Sequence, residues 1–480
     1  MDKIKFPEII SIDKTKKNLP GQKRLSATYF NQETYFKSGD TLPISKRKRL
    51  LTNLKKYILI NEKKIYKALN DDLRKSNFET FVTEIGILIS EIDIVLNKID
   101  KWAKKKRVKS SLLNFPSSDY VLSQPYGKVL IISPWNYPFQ LALLPLISAI
   151  AAGNTVVLKP SELAPNTSNL IKKFIEEIFD RSHALVVEGG ADTATKLLEI
   201  RWDYIFFTGS VKIGKIIALA AAKHLTPTTL ELGGKSPCIV DDTIDLKLAS
   251  RRIVWGKFLN AGQTCVAPDL LIVKKNTKDK LVHHLIEEIK KAYGKNPKES
   301  EDYPRIVNKI NLSRLSKLIQ DTKILIGGEY DSETCYFSPT IIDEPRIDSP
   351  IMSEEIFGPI LLIISYDDEN QIEKLISRYE KPLALYVFST DKKFSERIIR
   401  NFIFGGGAIN DTIIHAGNPN LPFGGVGNSG IGAYHGKASF DLFSHQKSIV
   451  EKGNWIDIKI RYAPYKGKLG IVKKFFKYLS

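Results

Sequence analysis

Asn260-Ala261-Gly262-Gln263-Thr264-Cys265 stands between a helix-like run, Ile253 to Leu259, and an apolar run, Leu270-Leu271-Ile272-Val273, that reads as a strand. A helix, a tight glycine-bearing connection and a buried strand make one building block of an α/β protein. Cys265 closes the connection. A cysteine by itself is most often a small buried hydrophobe, so its meaning depends on what surrounds it in the chain.

The same alternation runs outward in both directions. Upstream, Tyr120-Val121-Leu122, Val129 to Ile132, Thr155 to Leu158, Leu185-Val186-Val187 and Tyr204 to Phe207 read as strands. Helical patterns run through Leu170, Ile171, Phe174, Ile175 and Ile178, with Asn166, Thr167 and Ser168 as N-cap candidates, and through Ile213 to Ala222. Downstream come a helix around Leu281 to Tyr293 and a strand at Leu361 to Ile364. Repeated βα units imply parallel sheets covered by helices, and the pattern predicts two α/β domains with a break near Leu232-Gly233-Gly234. Before them, apolar residues recur at helical spacing from Leu50 to Leu69 and from Ile85 to Trp102. Residues 1 to about 30 are polar and predict an irregular arm. Ser444 to Glu451 reads as one more strand, and the tail from Lys466 as a basic amphipathic helix.

A chain of 480 residues exceeds one ordinary core and implies two or three domains. Its 43% hydrophobic and 26% charged content is that of a globular protein. Cys238, Cys265 and Cys335 form neither a disulfide framework nor a metal-ligand spacing, which favours a reducing, cytoplasmic setting. Neither a signal peptide nor a stretch long enough to span a membrane is read from the chain. The net charge of +19 gathers in clusters, at Lys14 to Lys17, Lys46 to Arg49, Lys104 to Lys109 and Lys466 to Lys477. Such clusters suit either a solvated surface or a phosphate-bearing partner, and no nucleic-acid-binding motif accompanies them.

Five further segments carry residues suited to chemistry. Pro134-Trp135-Asn136-Tyr137-Pro138 fixes a side-chain amide between prolines after a buried strand, a suitable donor to a developing oxyanion. Lys159-Pro160-Ser161-Glu162 follows a strand, where open α/β sheets bind ligands, and its carboxylate suits ribose hydroxyls. Phe207-Thr208-Gly209-Ser210-Val211-Lys212-Ile213-Gly214 leads from strand to helix and offers backbone amides to phosphate, with glycine spacing that is neither the dinucleotide fingerprint nor a Walker loop. Glu231-Leu232-Gly233-Gly234-Lys235 sets a carboxylate beside flexible backbone, as a general base needs. Glu354-Glu355-Ile356-Phe357-Gly358-Pro359 offers an acid and a ring. Each segment alone is equally compatible with an ordinary turn or surface loop.

In this order and at these separations, P-W-N-Y-P, K-P-S-E, F-T-G-S, E-L-G-G-K, G-Q-x-C, E-E-I-F-G-P and P-F-G-G-V-G-x-S-G resemble the NAD(P)-dependent aldehyde dehydrogenase superfamily from about Ser45 to Lys452. His415 to Phe423, Tyr434-His435-Gly436, Phe440 to His445 and Arg461-Tyr462-Ala463-Pro464-Tyr465 resemble its class 3 and fatty aldehyde branch, with Ala463 departing from a proline.

The resemblance implies a nucleophile at Cys265, an oxyanion donor at Asn136, and a water-activating base at Glu231 that Glu355 assists or shares. It implies cofactor contacts from Lys159, Glu162, Gly209, Ser210, Gly214, Glu355 and Phe357, and places Asn410 near the site. Glu162 favours NAD, with NADP also open; no metal is implied. The implied product is the carboxylic acid of a hydrophobic aliphatic or aromatic aldehyde. The implied architecture is a Rossmann-like domain at 127–232 with an N-terminal helical part at 1–117, a catalytic domain at 233–410, a return to the first domain at 411–443, and arm strands at 118–126 and 444–452 that join two subunits as a homodimer; the basic amphipathic tail at 453–480 suits either a place near the substrate entrance or contact with anionic membrane lipid. Alternatives are a CoA-acylating or reductive member and a non-enzymatic, basic membrane-peripheral protein. Cys238 and Cys335 read as structural, and His415, His435 and His445 as hydrogen-bonded structure.

Overall fold

The computed structural model describes residues 31–479; the arm expected at residues 1 to about 30 lies outside them. Two large sheets dominate. Apolar β-branched runs such as Val129 to Ile132 and Val156 to Leu158 are buried on both faces, as parallel strands covered by helices must be.

The first sheet has the spatial order Gly430–Ile431, Thr228–Glu231, Tyr204–Thr208, Lys128–Ile132, Thr155–Lys159, Ala184–Val186. All pairs are parallel except that of Gly430–Ile431. The chain enters at Lys128–Ile132, proceeds outward to Ala184–Val186, then returns to the other side at Tyr204–Thr208. The order therefore reverses between Lys128–Ile132 and Tyr204–Thr208, which opens a crevice at their carboxyl ends. Pro134 to Asn136 follow the first of these strands and Gly209-Ser210 the second.

Helices Ile44–Ile60, Glu62–Leu73 and Gly86–Trp102 share one apolar core with helix Gln140–Ala152, which is buried at every position but Leu141. The helical stripe from Leu50 to Leu69 is two helices broken at Asn61, whose side chain bonds the carbonyl of Tyr57. The N-cap expectation at Asn166, Thr167 and Ser168 is corrected: the helix starts at Pro165, whose fixed φ suits the first helical position. Asp72, 94 and 95 positions earlier, accepts the N–H groups of Asn166 and Thr167.

Over Leu232 to Lys235 the chain passes into the second sheet, of order Lys323–Ile326, Thr340–Asp343, Ile360–Tyr366, Pro268–Lys274, Ser236–Val240, Ala384–Phe388, Gly406–Ile409. Only Lys323–Ile326 is antiparallel. Four residues of connection bring the carboxyl end of Thr228–Glu231 against the amino end of Ser236–Val240, beside which Pro268–Lys274 also begins. Glu231 and the Cys265 loop thus meet between the sheets.

A third sheet, Lys106–Val108, Ser117–Pro125 and Ser444–Lys452, is antiparallel, with Ser444 opposite Pro125 and Lys452 opposite Ser117. The tail helix runs Leu469–Leu479. Among the described residues no helix is long and apolar enough to cross a membrane.

Candidate active site

Helix Leu246–Phe258 gives way to a short turn, Leu259–Gly262, in which Asn260 (φ 53°), Ala261 (φ 50°) and Gly262 (φ 71°) are all left-handed. Such backbone costs about 1–3 kcal/mol per non-glycine residue and persists only where its surroundings hold it. Glycine is required at 262, since a Cβ there would lie 2.2 Å from the Gly358 carbonyl oxygen. Asn260 donates to the carbonyls of Asn136 (2.7 Å) and Gln263 (3.3 Å). Gln263 donates to the carbonyls of Asn260 and Arg305, both at 3.0 Å, and accepts from the N–H of Val307 at 3.0 Å. The hydroxyls of Thr264 and Tyr137 share a bond of 2.5 Å. Every residue before Cys265 is thereby packed or bonded to another segment.

Asn136 lies in the turn after Lys128–Ile132. Its buried side-chain amide donates to the Gln263 carbonyl at 3.0 Å. A primary amide carries a second N–H, and Asn136 shares a cavity wall with Cys265.

Two cavities meet at Cys265. One, of about 270 Å³, is walled by Asn136, Thr208, Gly209, Glu231, Glu355 and Phe357 among others. The other, of about 410 Å³, is walled largely by apolar groups, including Val82, Ile87, Trp255, Leu259, Ile413 and Ile414. Cys265, Leu141, Phe423 and Tyr434 belong to both walls.

Burial sets the protonation of this junction. It pushes the Cys265 thiol up to about 12, with Glu355 and Glu231 adding to the effect and the backbone N–H groups of Cys265 and Val266 opposing it. Burial holds Glu231 well above the usual carboxylate range. It raises Glu355 to about 8; Asp269 adds to this, while the Gly234 amide, Lys235 and Arg314 oppose it. A Cβ on Gly233 would stand 2.2 Å from Glu355 Oε2, so only glycine lets that carboxyl lie against the backbone. Lys235 is lowered to about 8, again by burial. Both oxygens of Glu231, Glu355 Oε1 and Thr208 Oγ1 are buried without a hydrogen-bond partner. Buried polar atoms ordinarily have partners, so these mark a wall built for a polar ligand.

Of the residues expected from sequence, Cys265, Asn136, Glu231, Glu355, Phe357, Gly209 and Ser210 line the first cavity together. Ser210 caps helix Val211–Ala222, in which Gly214 lies packed toward Leu232. Phe357 meets the Trp135 ring edge to face at 5.3 Å. Lys159 and Glu162 form an ion pair of 2.7 Å at the carboxyl end of Thr155–Lys159, on the same sheet edge but outside that cavity wall. Asn410 walls neither cavity: its amide exchanges bonds with the Ser389 backbone at 2.8 and 2.9 Å. His415 is corrected too. Neither ring nitrogen has a hydrogen-bond partner, and the ring packs against Tyr386 and Phe423. Sequence reading missed Arg314 and Asn311 on the first wall, which carry no local signal, and quoted Tyr434 only within the motif Tyr434-His435-Gly436 without a place in the site.

The aldehyde dehydrogenase family model matches residues 22–449. A 4,4'-diaponeurosporen-aldehyde dehydrogenase from Staphylococcus aureus is 47% identical over 451 residues, covering 94% of this chain and 98% of that relative. Aldehyde dehydrogenase family 3 member A2 from Pongo abelii is 44% identical over 453 residues, 92% of this chain and 93% of its own length. Among solved structures, the substrate-bound state of Staphylococcus aureus AldH is 46% identical with a TM-score of 0.93, covering 96% of this chain and all of the other.

Proposed function

This chain belongs to the aldehyde dehydrogenase family, oxidoreductases that act on aldehydes with NAD or NADP, and from that premise we propose that it converts a bulky apolar aldehyde to its carboxylic acid through Cys265. The observation that carries this reading is the position of Cys265, where an apolar chamber meets a chamber of unpartnered carboxyls.

The aldehyde lies in the apolar chamber with its carbonyl at Cys265. Cys265 gives up its thiol proton to solvent and reacts as the thiolate, leaving Glu231, which burial makes a stronger base than an exposed glutamate, for the later water step. The sulfur bonds to the carbonyl carbon, and the resulting oxyanion takes hydrogen bonds from the free N–H of Asn136 and the backbone N–H of Cys265. Loss of hydride from that carbon leaves a thioester on Cys265. Glu231, assisted by Glu355, then takes a proton from water, which attacks the thioester and releases the acid and the thiol.

The residues present fit NAD or NADP. The unpartnered Thr208 and Glu355 oxygens, the capped start of helix Val211–Ala222 and the Lys159–Glu162 pair lie along one strand-end crevice, where Gly209, Ser210 and Gly214 would follow the pyrophosphate and Phe357 the nicotinamide. When bound, the cofactor supplies the hydride acceptor.

Two finer readings accompany the chemistry. Ser444–Lys452 is an edge strand and offers unpaired backbone to a second copy, which supports a homodimer; light scattering that reports a monomer at working concentration would count against it. From Ile458 onward the chain has no acidic residue, and helix Leu469–Leu479 exposes Leu469, Ile471, Phe475 and Phe476 among lysines. That supports contact with anionic lipid; equal vesicle binding with and without residues 466–480 would remove this reading.

The test of the main proposal is NADH or NADPH formation with short, aromatic and long-chain aldehydes. Turnover favours the larger apolar substrates, and Cys265→Ala lowers it by at least about a thousandfold. A wild-type rate in that variant would falsify the role of Cys265.

A further inference from the structure

Lys75 and Glu84 lie between helices Glu62–Leu73 and Gly86–Trp102. Their side chains have no solvent exposure, and Lys75 Nζ meets Glu84 Oε1 at 2.6 Å. A buried ion pair is poor evidence for stability, because desolvation offsets most of its attraction. Its use is shown by where the remaining valences point, and all of them point at one turn. Lys75 Nζ also donates to the Asn136 carbonyl at 3.4 Å and sits 4.4 Å above the Tyr137 ring. Glu84 Oε2 accepts the N–H groups of Phe139 (2.9 Å) and Gln140 (3.1 Å). Helix Gln140–Ala152 has no side-chain cap of its own, so Glu84 supplies the negative charge that a helix start favours, from 55 residues upstream.

The pair thus grips the turn from Asn136 to Gln140 without itself lining either cavity, while Asn260 holds the same Asn136 carbonyl from the Cys265 loop. We infer that Lys75 and Glu84 are positioning residues for the reaction: they fix the Asn136 amide where the oxyanion forms. The inference rests on the reading of Asn136 as oxyanion donor. Neither residue walls the cavities, so neither touches substrate, and their effect passes through the turn. A buried pair is costly, and an apolar substitute often packs as stably; what an apolar substitute lacks is the directed bonds to a catalytic turn.

The test is a double-mutant cycle between Lys75→Met/Glu84→Gln and Asn136→Ala in the full-length enzyme, read as kcat and KM for NADH formation alongside the melting temperature. Losing an oxyanion donor lowers kcat by about 10²–10³, and a misplacement of about 1 Å by roughly 10². The paired variant therefore loses about 10- to 100-fold in kcat with KM for aldehyde and NAD within about threefold. In the Asn136→Ala background the same change costs less than about threefold. A full multiplicative loss in that background overturns the inference alone, as does an unchanged kcat in the folded paired variant. Wild-type kcat in Asn136→Ala by itself removes the oxyanion reading, and the inference falls with it. Should the paired variant fail to fold, Glu84→Gln, which keeps the side-chain shape and an acceptor, carries the same cycle with the same criteria.

Discussion

The Asn136 side chain donates to the carbonyl of Gln263 at 3.0 Å, two residues before Cys265. A turn from the first sheet is thereby fastened to the loop that begins a strand of the second. The proposed oxyanion donor and nucleophile are set by the same contacts, and the chemistry can be tested at each step.

Glu231 acts late in the proposed sequence, on water. Glu231→Gln therefore leaves one turnover's worth of NADH per site and then stalls, with steady-state kcat lower by about 10²–10⁴. Rapid-quench NADH measurement and intact mass of the trapped acyl-enzyme check this; a burst lost in proportion to kcat assigns Glu231 to the earlier step instead.

The pH dependence follows from burial. Burial pushes Cys265 up to about 12 and Glu355 to about 8, so both are largely protonated in the resting site near neutrality; Glu231 is shifted upward as well, and the reactive forms grow as pH rises. The expected kcat/KM climbs from about pH 6 to about pH 9, with an inflection near 8 that Glu355→Gln removes. A profile that falls above neutrality contradicts this order.

Stability has the opposite slope at Glu91. Its carboxylate accepts the Gly436 N–H at 3.0 and 3.2 Å, yet burial raises it to about 7. A raised carboxyl pKa means that the folded state binds the proton more tightly than the unfolded chain. The contribution is whole below the unfolded value of 4.5 and is lost as pH rises through about 7. Between those two values the melting temperature declines more steeply in wild type than in Glu91→Gln. The matching difference in unfolding free energy is about 1–3 kcal/mol; parallel declines in the two proteins would contradict it.

The apolar chamber assigns substrate size. Trp255 and Ile414 wall it and are partly exposed at its edge. Trp255→Ala removes apolar contact from a long aldehyde, worth about 1–3 kcal/mol, and raises its KM roughly tenfold or more. Acetaldehyde, too short to reach that wall, keeps its wild-type KM.

Local order was legible in the sequence. Apolar runs marked the strands Lys128–Ile132 and Pro268–Lys274, and period and spacing marked helices such as Gly86–Trp102. The clustering of Asn136, Glu231, Glu355, Phe357, Gly209, Ser210 and Cys265 was legible only through family resemblance. What stayed hidden depends on residues far apart in the chain. Asp72 caps a helix 94 positions away, and Glu84 caps another at 55. Asn410 shows a shared motif without a shared surface, because its amide is engaged by Ser389. His415 departs from the rule that buried polar rings find partners, since aromatic rings surround it.

The three bonds that hold the cysteine loop to the first sheet each span 124 or 127 positions. Contacts of that range close late in folding, after the entropy of the intervening chain has been lost. A nascent or stalled polypeptide therefore carries Cys265 without its amide partner and without the left-handed turn that aims it. Catalysis arrives only with the finished molecule, so regain of aldehyde-dependent NADH formation during refolding lags behind regain of helical circular dichroism.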